Sequence, residues 1–120
     1  MNIKIAIPTN DRLNISSDMF RCEFFKIIEV KCGKIIGEDF LENTFFKSAK
    51  DKEDVALDFI NNLLFDCDFI ITSTLSNNVK NYFMSRGKKI VLTSENLISN
   101  ITHSFICELA RKESDTICSP

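Results

Sequence analysis

The stretch IKIAIPTNDRLNISSDMFRCEFF, residues 3–25, decides the fold of this chain. Its isoleucines at positions 3, 5 and 7 alternate with Lys4 and Ala6 until Pro8 stops the run, which predicts a short central strand. A polar loop follows, and a second apolar run begins near residue 23. In a small α/β domain such a loop lies at the carboxyl edge of the strands, where ligands bind. We therefore expect this loop to carry the functional site.

Outside this stretch, the apolar pattern predicts four more strands and three helices. The second and third strands flank a turn at Gly33, because Gly takes the dihedral angles that a tight hairpin requires. Strands and helices then alternate, which predicts parallel strands joined by right-handed crossovers. The predicted fold is α/β, with a five-stranded mixed sheet. We expect strands at 23–30, 34–41, 68–71 and 89–92, and helices after a cap at Asp51, at 77–85, and from Ser94 or Asn96 to about residue 112.

The bulk composition limits the classes of protein that fit. The 120 residues suit a single domain at 1–112, followed by a polar tail at 113–120 that we expect to be flexible. The net charge is −2 and no basic stripe is present, which argues against nucleic-acid binding. No apolar run approaches the length of about 20 residues that a membrane span needs. Because no signal-peptide pattern opens the chain, we expect a cytoplasmic protein.

Two polar clusters in the first loop are candidates for ligand contact. Asn10 and Asp11 could orient a ligand at the sheet edge, or they could cap the turn after the first strand. Asp18, Arg21 and Cys22 form the sharper cluster, because a cysteine thiolate is a soft metal ligand and an Arg can bind an anion. The alternative is a surface pair of Asp and Arg beside a half-buried cysteine.

A hydroxyl-rich loop at 72–76 follows the fourth strand and opens a helix. Backbone N–H groups at such a helix start, together with the hydroxyls, can hold an anion; the alternative is simple N-capping by Thr74 or Ser76.

Catalysis has little support in the sequence. His103 is the single histidine, so no Ser-His-Asp or Cys-His arrangement is evident, and the acidic residues do not converge on one edge of the sheet. We expect no enzymatic activity.

Two segments resemble the opening of the dinitrogenase iron–molybdenum cofactor biosynthesis family. Residues 4–11, KIAIPTND, match that family's opening, and residues 15–25, ISSDMFRCEFF, keep its spacing without a gap. The family pattern there is a hydrophobic residue, Ser, any residue, then His-Phe-Gly-Arg-Ala-x-x-Phe. The strand, loop and helix at 68–87 occupy the same frame as in the family. The resemblance covers roughly residues 3–110 and implies a ribonuclease H-like motif with strand order 3-2-1-4-5, in which strand 2 is antiparallel.

The resemblance also implies a function. By this resemblance, the chain would be a non-catalytic protein that binds and carries an iron–sulfur or iron–molybdenum cluster precursor, or another small anionic ligand. It would have protein partners in cofactor assembly. The ligand would lie between the loops at 10–22 and 72–78, with Cys22 as the one plausible metal ligand. The residues expected to contact it are Asn10, Ser16, Asp18, Arg21, Cys22, Ser73, Thr74 and Ser76.

The chain departs from the family pattern where a cluster would be touched. Asp18 replaces the family His, Cys22 replaces an Ala, and the glycine-rich turn has become the hydroxyl-rich loop at 72–76. These changes favour the alternative hypothesis, in which a divergent member has lost the cofactor and acts as a protein-interaction module.

Overall fold

The computed structural model describes residues 2–44 and 53–113. The chain begins with three strands and then alternates helix and strand. The elements in chain order are β1 (Asn2–Thr9), β2 (Phe24–Lys31), β3 (Lys34–Glu42), α1 (Glu53–Leu63), β4 (Phe69–Thr72), α2 (Asn77–Met84), β5 (Lys89–Leu92) and α3 (Ile98–Glu113).

The five strands form one mixed sheet in the order β3-β2-β1-β4-β5. β2 is antiparallel to both of its neighbours, whereas β4 is parallel to β1 and to β5. The predicted fold class, strand order and antiparallel second strand are therefore confirmed, and the described residues contain the three predicted helices. The expected cap at Asp51 and residues 114–120 of the predicted tail lie outside the described residues.

The strand β1 continues past the point where the sequence predicted its end. Pro8 faces Phe25 of β2, and the strand ends at Thr9. A proline lacks the N–H that a central strand donates, but β4 pairs only with Ile5 and Ala6, so Pro8 lies beyond that ladder. Its carbonyl accepts a hydrogen bond from the backbone N–H of Ser16 (2.8 Å), which folds the following loop back onto the strand.

The alternation in β1 places an apolar layer on each face of the sheet. The isoleucines at positions 3, 5 and 7 pack on one face with Ile98 and Ile101 of α3. Ala6 belongs to the opposite layer, which contains Phe83 of α2 and the apolar side of α1. Successive side chains of a strand point to opposite faces, so a single strand serves both layers. Among the described residues, no helix is both long enough and apolar enough to cross a membrane.

The carboxyl ends of β1 and β4 meet at one edge of the sheet, because the two strands are parallel neighbours. The loops that follow them, at 10–23 and 73–76, therefore meet at that edge. At the opposite edge, Lys4 Nζ forms an ion pair with Asp66 (2.7 Å) and the backbone N–H of Lys4 donates to Asp68 (3.0 Å). The acidic residues before β4 are thus held away from the loops, as the sequence predicted.

Candidate functional site

Asp11 shapes the first loop. Its Oδ1 accepts hydrogen bonds from the backbone N–H groups of Asn14 (2.8 Å) and Leu13 (2.9 Å), and its Oδ2 accepts one from the Asn14 side chain (2.7 Å). The bonds from Asn14, followed by the one from Leu13, lower the pKa of the Asp11 carboxyl to about 2. Because bonds within the loop use both carboxylate oxygens, Asp11 acts as the cap of the turn, as Asx residues commonly do.

Asn10 and Ser16 connect the two ends of the loop. Asn10 Oδ1 accepts a hydrogen bond from the backbone N–H of Glu23 (3.0 Å), and its side-chain amide donates to Ser16 Oγ (3.4 Å). Ser16 is buried, and its hydroxyl also accepts from the backbone N–H of Asp18 (3.2 Å). Both residues were predicted to contact a ligand. The structure gives each of them bonds inside the loop.

Asp18 stands where the family pattern has His, and it caps a short turn. Its Oδ1 accepts from the backbone N–H groups of Phe20 (3.0 Å) and Arg21 (3.2 Å). The Arg21 side chain is exposed beside this turn. The structure therefore connects Asp18 to Arg21 through the backbone, and Arg21 is an exposed residue of the first loop.

Cys22 lies inside the core and not at the loop surface. Its side chain is 0% exposed, and its thiol donates to the carbonyl of Met19 (3.3 Å). Burial raises the pKa of Cys22 to about 12, although a bond from the Asn43 side chain opposes this effect. A thiol of such a pKa is protonated at neutral pH, whereas metal ligation needs the thiolate. The expectation that Cys22 is a metal ligand therefore meets a physical obstacle in this arrangement.

Asn43 is a buried residue that the sequence analysis missed. Its side-chain amide donates to the carbonyls of Cys22 (2.9 Å) and Phe20 (3.1 Å), and it lies 3.7 Å from the Cys22 sulfur. Asn43 directly follows β3, so it fastens the end of that strand to the first loop. A polar residue that ends a strand usually predicts an exposed turn, and no pattern in the sequence indicated that this one is buried.

The two loops enclose a cavity of about 440 Å³ at the carboxyl edge of the sheet. Thr74 Oγ1 donates to the carbonyl of Ser17 (3.4 Å) and so connects the loops. Ser76 caps α2, because its Oγ accepts from the backbone N–H of Val79 (3.4 Å). We call this cavity the strand-end cleft. Its described lining residues are Ser17, Asp18, Met19, Phe20, Thr74, Leu75, Ser76 and Val79.

The structure thus brings together some of the predicted contact residues and separates others. Asp18, Thr74 and Ser76 line the strand-end cleft, whereas Asn10, Ser16, Arg21, Cys22 and Ser73 are not among its described lining residues. The sequence analysis also missed the apolar lining residues Met19 and Phe20. Their place in the family spacing was visible in the sequence, but their position beside the second loop depends on the fold.

Two hydroxyls where β4 runs into the second loop are buried without a hydrogen-bond partner, and neither residue is among the described lining residues of the strand-end cleft. They are Thr72 Oγ1, at the last residue of β4, and Ser73 Oγ, at the first residue of the following loop. A buried hydroxyl that lacks a partner costs about 1–3 kcal/mol. Adjacent orphan hydroxyls at the end of a central strand are therefore groups that a polar ligand could satisfy.

The residues of the cleft do not fit a metal cluster bound directly by protein ligands. In the part of the chain that the structure describes, no three His, Cys, Asp or Glu side chains are grouped so that they could hold a metal ion. Protein-bound iron–sulfur clusters require several cysteine thiolates, and the buried Cys22 does not provide one. The available groups are instead hydroxyls and backbone N–H groups at the start of α2.

Comparison with known proteins agrees with this fold. The family model described as dinitrogenase iron-molybdenum cofactor matches residues 1–106. Comparison with curated proteins finds none that matches the chain. Among solved structures, PH0822 is similar with a TM-score of 0.72 at 19% sequence identity. The aligned region covers 88% of this chain and 90% of the PH0822 chain.

Two further solved structures are similar. MJ0327 from Methanocaldococcus jannaschii has a TM-score of 0.65 at 18% identity, with 90% of this chain and 91% of that chain covered. The apo form of the orange protein from Desulfovibrio gigas has a TM-score of 0.64 at 10% identity, with 92% of this chain and 88% of that chain covered. At such identities the likeness shows a shared fold alone.

Proposed function

Because the chain belongs to the dinitrogenase iron–molybdenum cofactor family, we propose that it is a non-catalytic carrier of a small anionic cargo, bound at the carboxyl edge of the sheet where the loops at 10–23 and 73–76 meet. A cluster precursor that brings its own sulfide ligands is a cargo of this kind. The protein would hold it by hydrogen bonds and would supply no thiolate. The family assignment supports the cofactor-related role, and the geometry of the cleft supports the mode of binding.

The observation that carries this proposal is the pair of orphan hydroxyls. Thr72 is fully buried, so its hydroxyl lacks solvent as well as a protein partner. Ser73, the next residue, is half-buried, and its Oγ is also shielded from solvent and without a partner. Hydroxyls can donate to an anion, so a bound anion could satisfy either of these donors.

The start of α2 adds to the preference for negative charge. The first backbone N–H groups of a helix have no partner within the helix, and they carry a partial positive charge. Ser76 satisfies one of these donors, and the first turn of α2 contains no acidic residue. The carboxylate that does line the cleft, Asp18, is bonded to the backbone N–H groups of Phe20 and Arg21. Arg21 is exposed near the same edge and can add charge attraction for an arriving ligand.

The test is anaerobic reconstitution of the full chain with iron and sulfide, with and without molybdate, followed by desalting and metal analysis. We expect retained metal and visible absorbance in the wild type and in Cys22→Ser, and a loss in the Thr72→Val and Ser73→Ala variants. Ser94→Ala is the matched control, because Ser94 is an exposed serine after β5 and belongs to neither of the two loops.

Two results would contradict the proposal. The first is a wild-type protein that retains no more metal than Ser73→Ala. The second is a loss confined to Cys22→Ser, which would assign the binding to the thiol.

A protein-interaction module without cargo is the second candidate function. Leu13 and Leu97 are 67% and 43% exposed and lie next to each other, because Asn14 pairs with Leu97 in an isolated β-bridge. Exposed apolar side chains beside a ligand edge are typical of contact surfaces. Concentration-dependent self-association in sedimentation experiments, together with failed reconstitution, would favour this function over the carrier.

A further inference from the structure

A second cavity lies away from the strand-end cleft, between the β2–β3 hairpin and α3. It measures about 460 Å³, within the range of small-molecule sites. The helix wall presents Ser99, Thr102, His103 and Ile106, which are spaced so that they share one face of α3. The hairpin wall consists of Lys26, Gly33, Lys34, Ile35 and Glu38. Its described lining residues include none that line the strand-end cleft.

The charges of this hairpin cavity favour an anion of single charge. Lys26 Nζ forms an ion pair with Glu38 (3.1 Å), so this ammonium is already balanced. Lys34 lines the same cavity and is exposed. The described wall thus contains two ammonium groups and one carboxylate, which leaves one positive charge unbalanced. This charge suits a singly charged carboxylate better than a doubly charged phosphate.

Thr102 adds a polar group whose burial needs an explanation. The residue is only 6% exposed, and its Oγ1 has no hydrogen-bond partner. A helical Thr commonly satisfies its hydroxyl by donating to the carbonyl four residues earlier, and Thr102 does not. An orphan hydroxyl in the wall of a cavity lowers the stability of the empty protein, and a ligand that accepts its hydrogen bond would remove that cost.

The remaining lining defines the body of the ligand. Ile35 of the hairpin and Ile106 of α3 offer apolar contact on opposite walls. From these observations we infer that the hairpin cavity is a binding site for a small aliphatic carboxylate. The carboxylate accepts from Lys34 and Thr102, and the short chain lies between the two isoleucines.

Butyrate is the probe, and amide chemical shifts of the ¹⁵N-labelled full chain are the measurement. We expect saturable shifts that cluster at residues 33–35 and 99–106. Acetate should bind more weakly because it lacks the chain, and neutral butyramide should bind more weakly because it lacks the charge. Equal shifts with butyramide, shifts centred on the strand-end cleft, or phosphate binding as tight as butyrate would each overturn the inference.

Two pairs of variants make the test specific. Lys34→Gln should weaken butyrate binding by about tenfold, as expected for a lost hydrogen bond to a charged group. Lys31→Gln is the matched control, because Lys31 is exposed on the same hairpin, faces Lys34 across the turn and does not line the cavity. Equal effects of the two variants would reduce the site to general charge attraction.

Thr102→Val separates a binding role from a structural one. The substitution removes the orphan hydroxyl and keeps the shape of the side chain. We expect it to weaken butyrate binding and, in the absence of ligand, to raise the temperature of unfolding. Unchanged affinity in Thr102→Val would contradict the inference, and a lower unfolding temperature would contradict the orphan state of the hydroxyl.

Discussion

Among the described residues, Lys88 is the charged side chain whose replacement should affect this fold most strongly. It is only 5% exposed, and its ammonium donates to the carbonyls of Leu64 (2.6 Å), Cys67 (3.1 Å) and Phe65 (3.4 Å). These carbonyls belong to the segment that leaves α1 and enters β4. The three N–H donors of an ammonium thus meet three acceptors at the end of a helix, where backbone carbonyls lack partners.

The magnitude of the effect follows from these contacts. Lys88→Met keeps the buried aliphatic part of the side chain and removes the donors. A hydrogen bond from a charged group contributes about 1.5 kcal/mol at the lower end of its range. The two shorter bonds therefore predict a loss of about 3 kcal/mol in the free energy of unfolding, and the third is too long to add much. For a domain of this length, the expected decrease in Tm is about 12 °C.

The assay is urea and thermal unfolding followed by circular dichroism at a fixed pH. Lys89→Met is the matched control, because the neighbouring Lys89 is exposed and its ammonium lies over the Phe69 ring (5.4 Å). The control should lose at most about 1 kcal/mol. A Lys88→Met protein within about 1 kcal/mol of the wild type, or equal losses in both variants, would refute the reasoning.

Two further predictions concern titration and thiol chemistry. The native pKa of Asp11, about 2, lies below the ordinary 3.8, so its carboxylate stabilises the fold above pH 3.8 and this contribution is lost as the pH falls toward 2. Asp11→Asn should therefore have a lower Tm than the wild type at pH 6 and an equal one near pH 2. In the native protein, DTNB should label the exposed Cys107 much faster than Cys22 or Cys67, whose pKa burial raises to about 12. Mass spectrometry of the labelled peptides checks this, and rapid native labelling of Cys22 would contradict its placement.

Most of the fold could be predicted because the relevant patterns are local. Gly33 and Gly87 have φ angles of 75° and 84°, which is the region where Gly is favoured, and both mark predicted ends of elements. The β2–β3 turn also has Cys32 at φ 53°, so two consecutive left-handed residues close the hairpin, as in a type I′ turn. The sequence predicted the turn from Gly33 alone.

The conformation of the first loop was harder to predict because it depends on contacts with the strands on either side of the loop. Arg12 has a φ angle of 70°, a backbone conformation that residues other than Gly and Asn seldom adopt. Thr9 Oγ1 accepts from the backbone N–H of Arg12 (2.9 Å), and the guanidinium lies over the ring of Phe24 (4.7 Å). Contacts with the end of one strand and the start of the next thus hold a backbone conformation that the residue type does not indicate.

The burial of Cys22 depends on contacts between distant parts of the chain, and so it could not be predicted. The thiol belongs to a core cluster that includes Leu64 and Phe83, and Asn43, 21 residues later, donates to the carbonyls of Phe20 and Cys22. A cysteine beside Arg21 in the sequence indicates a reactive thiol, because the charge would stabilise a thiolate. The fold instead turns Cys22 inward and leaves Arg21 exposed, so adjacency in the sequence gave the wrong environment.

These contacts explain why the family segment predicts shape better than ligand. Asn10, Asp11 and Ser16, which made the resemblance visible, form hydrogen bonds within the loop, so they preserve its conformation whatever the loop binds. Among the described residues at this edge, those bonds leave Asn43 Oδ1 and the hydroxyls of Thr72 and Ser73 buried without a partner, and of these the two hydroxyls can donate to an anion. A relative with the same loop bonds but different residues at these two positions should therefore keep the fold and bind a different cargo.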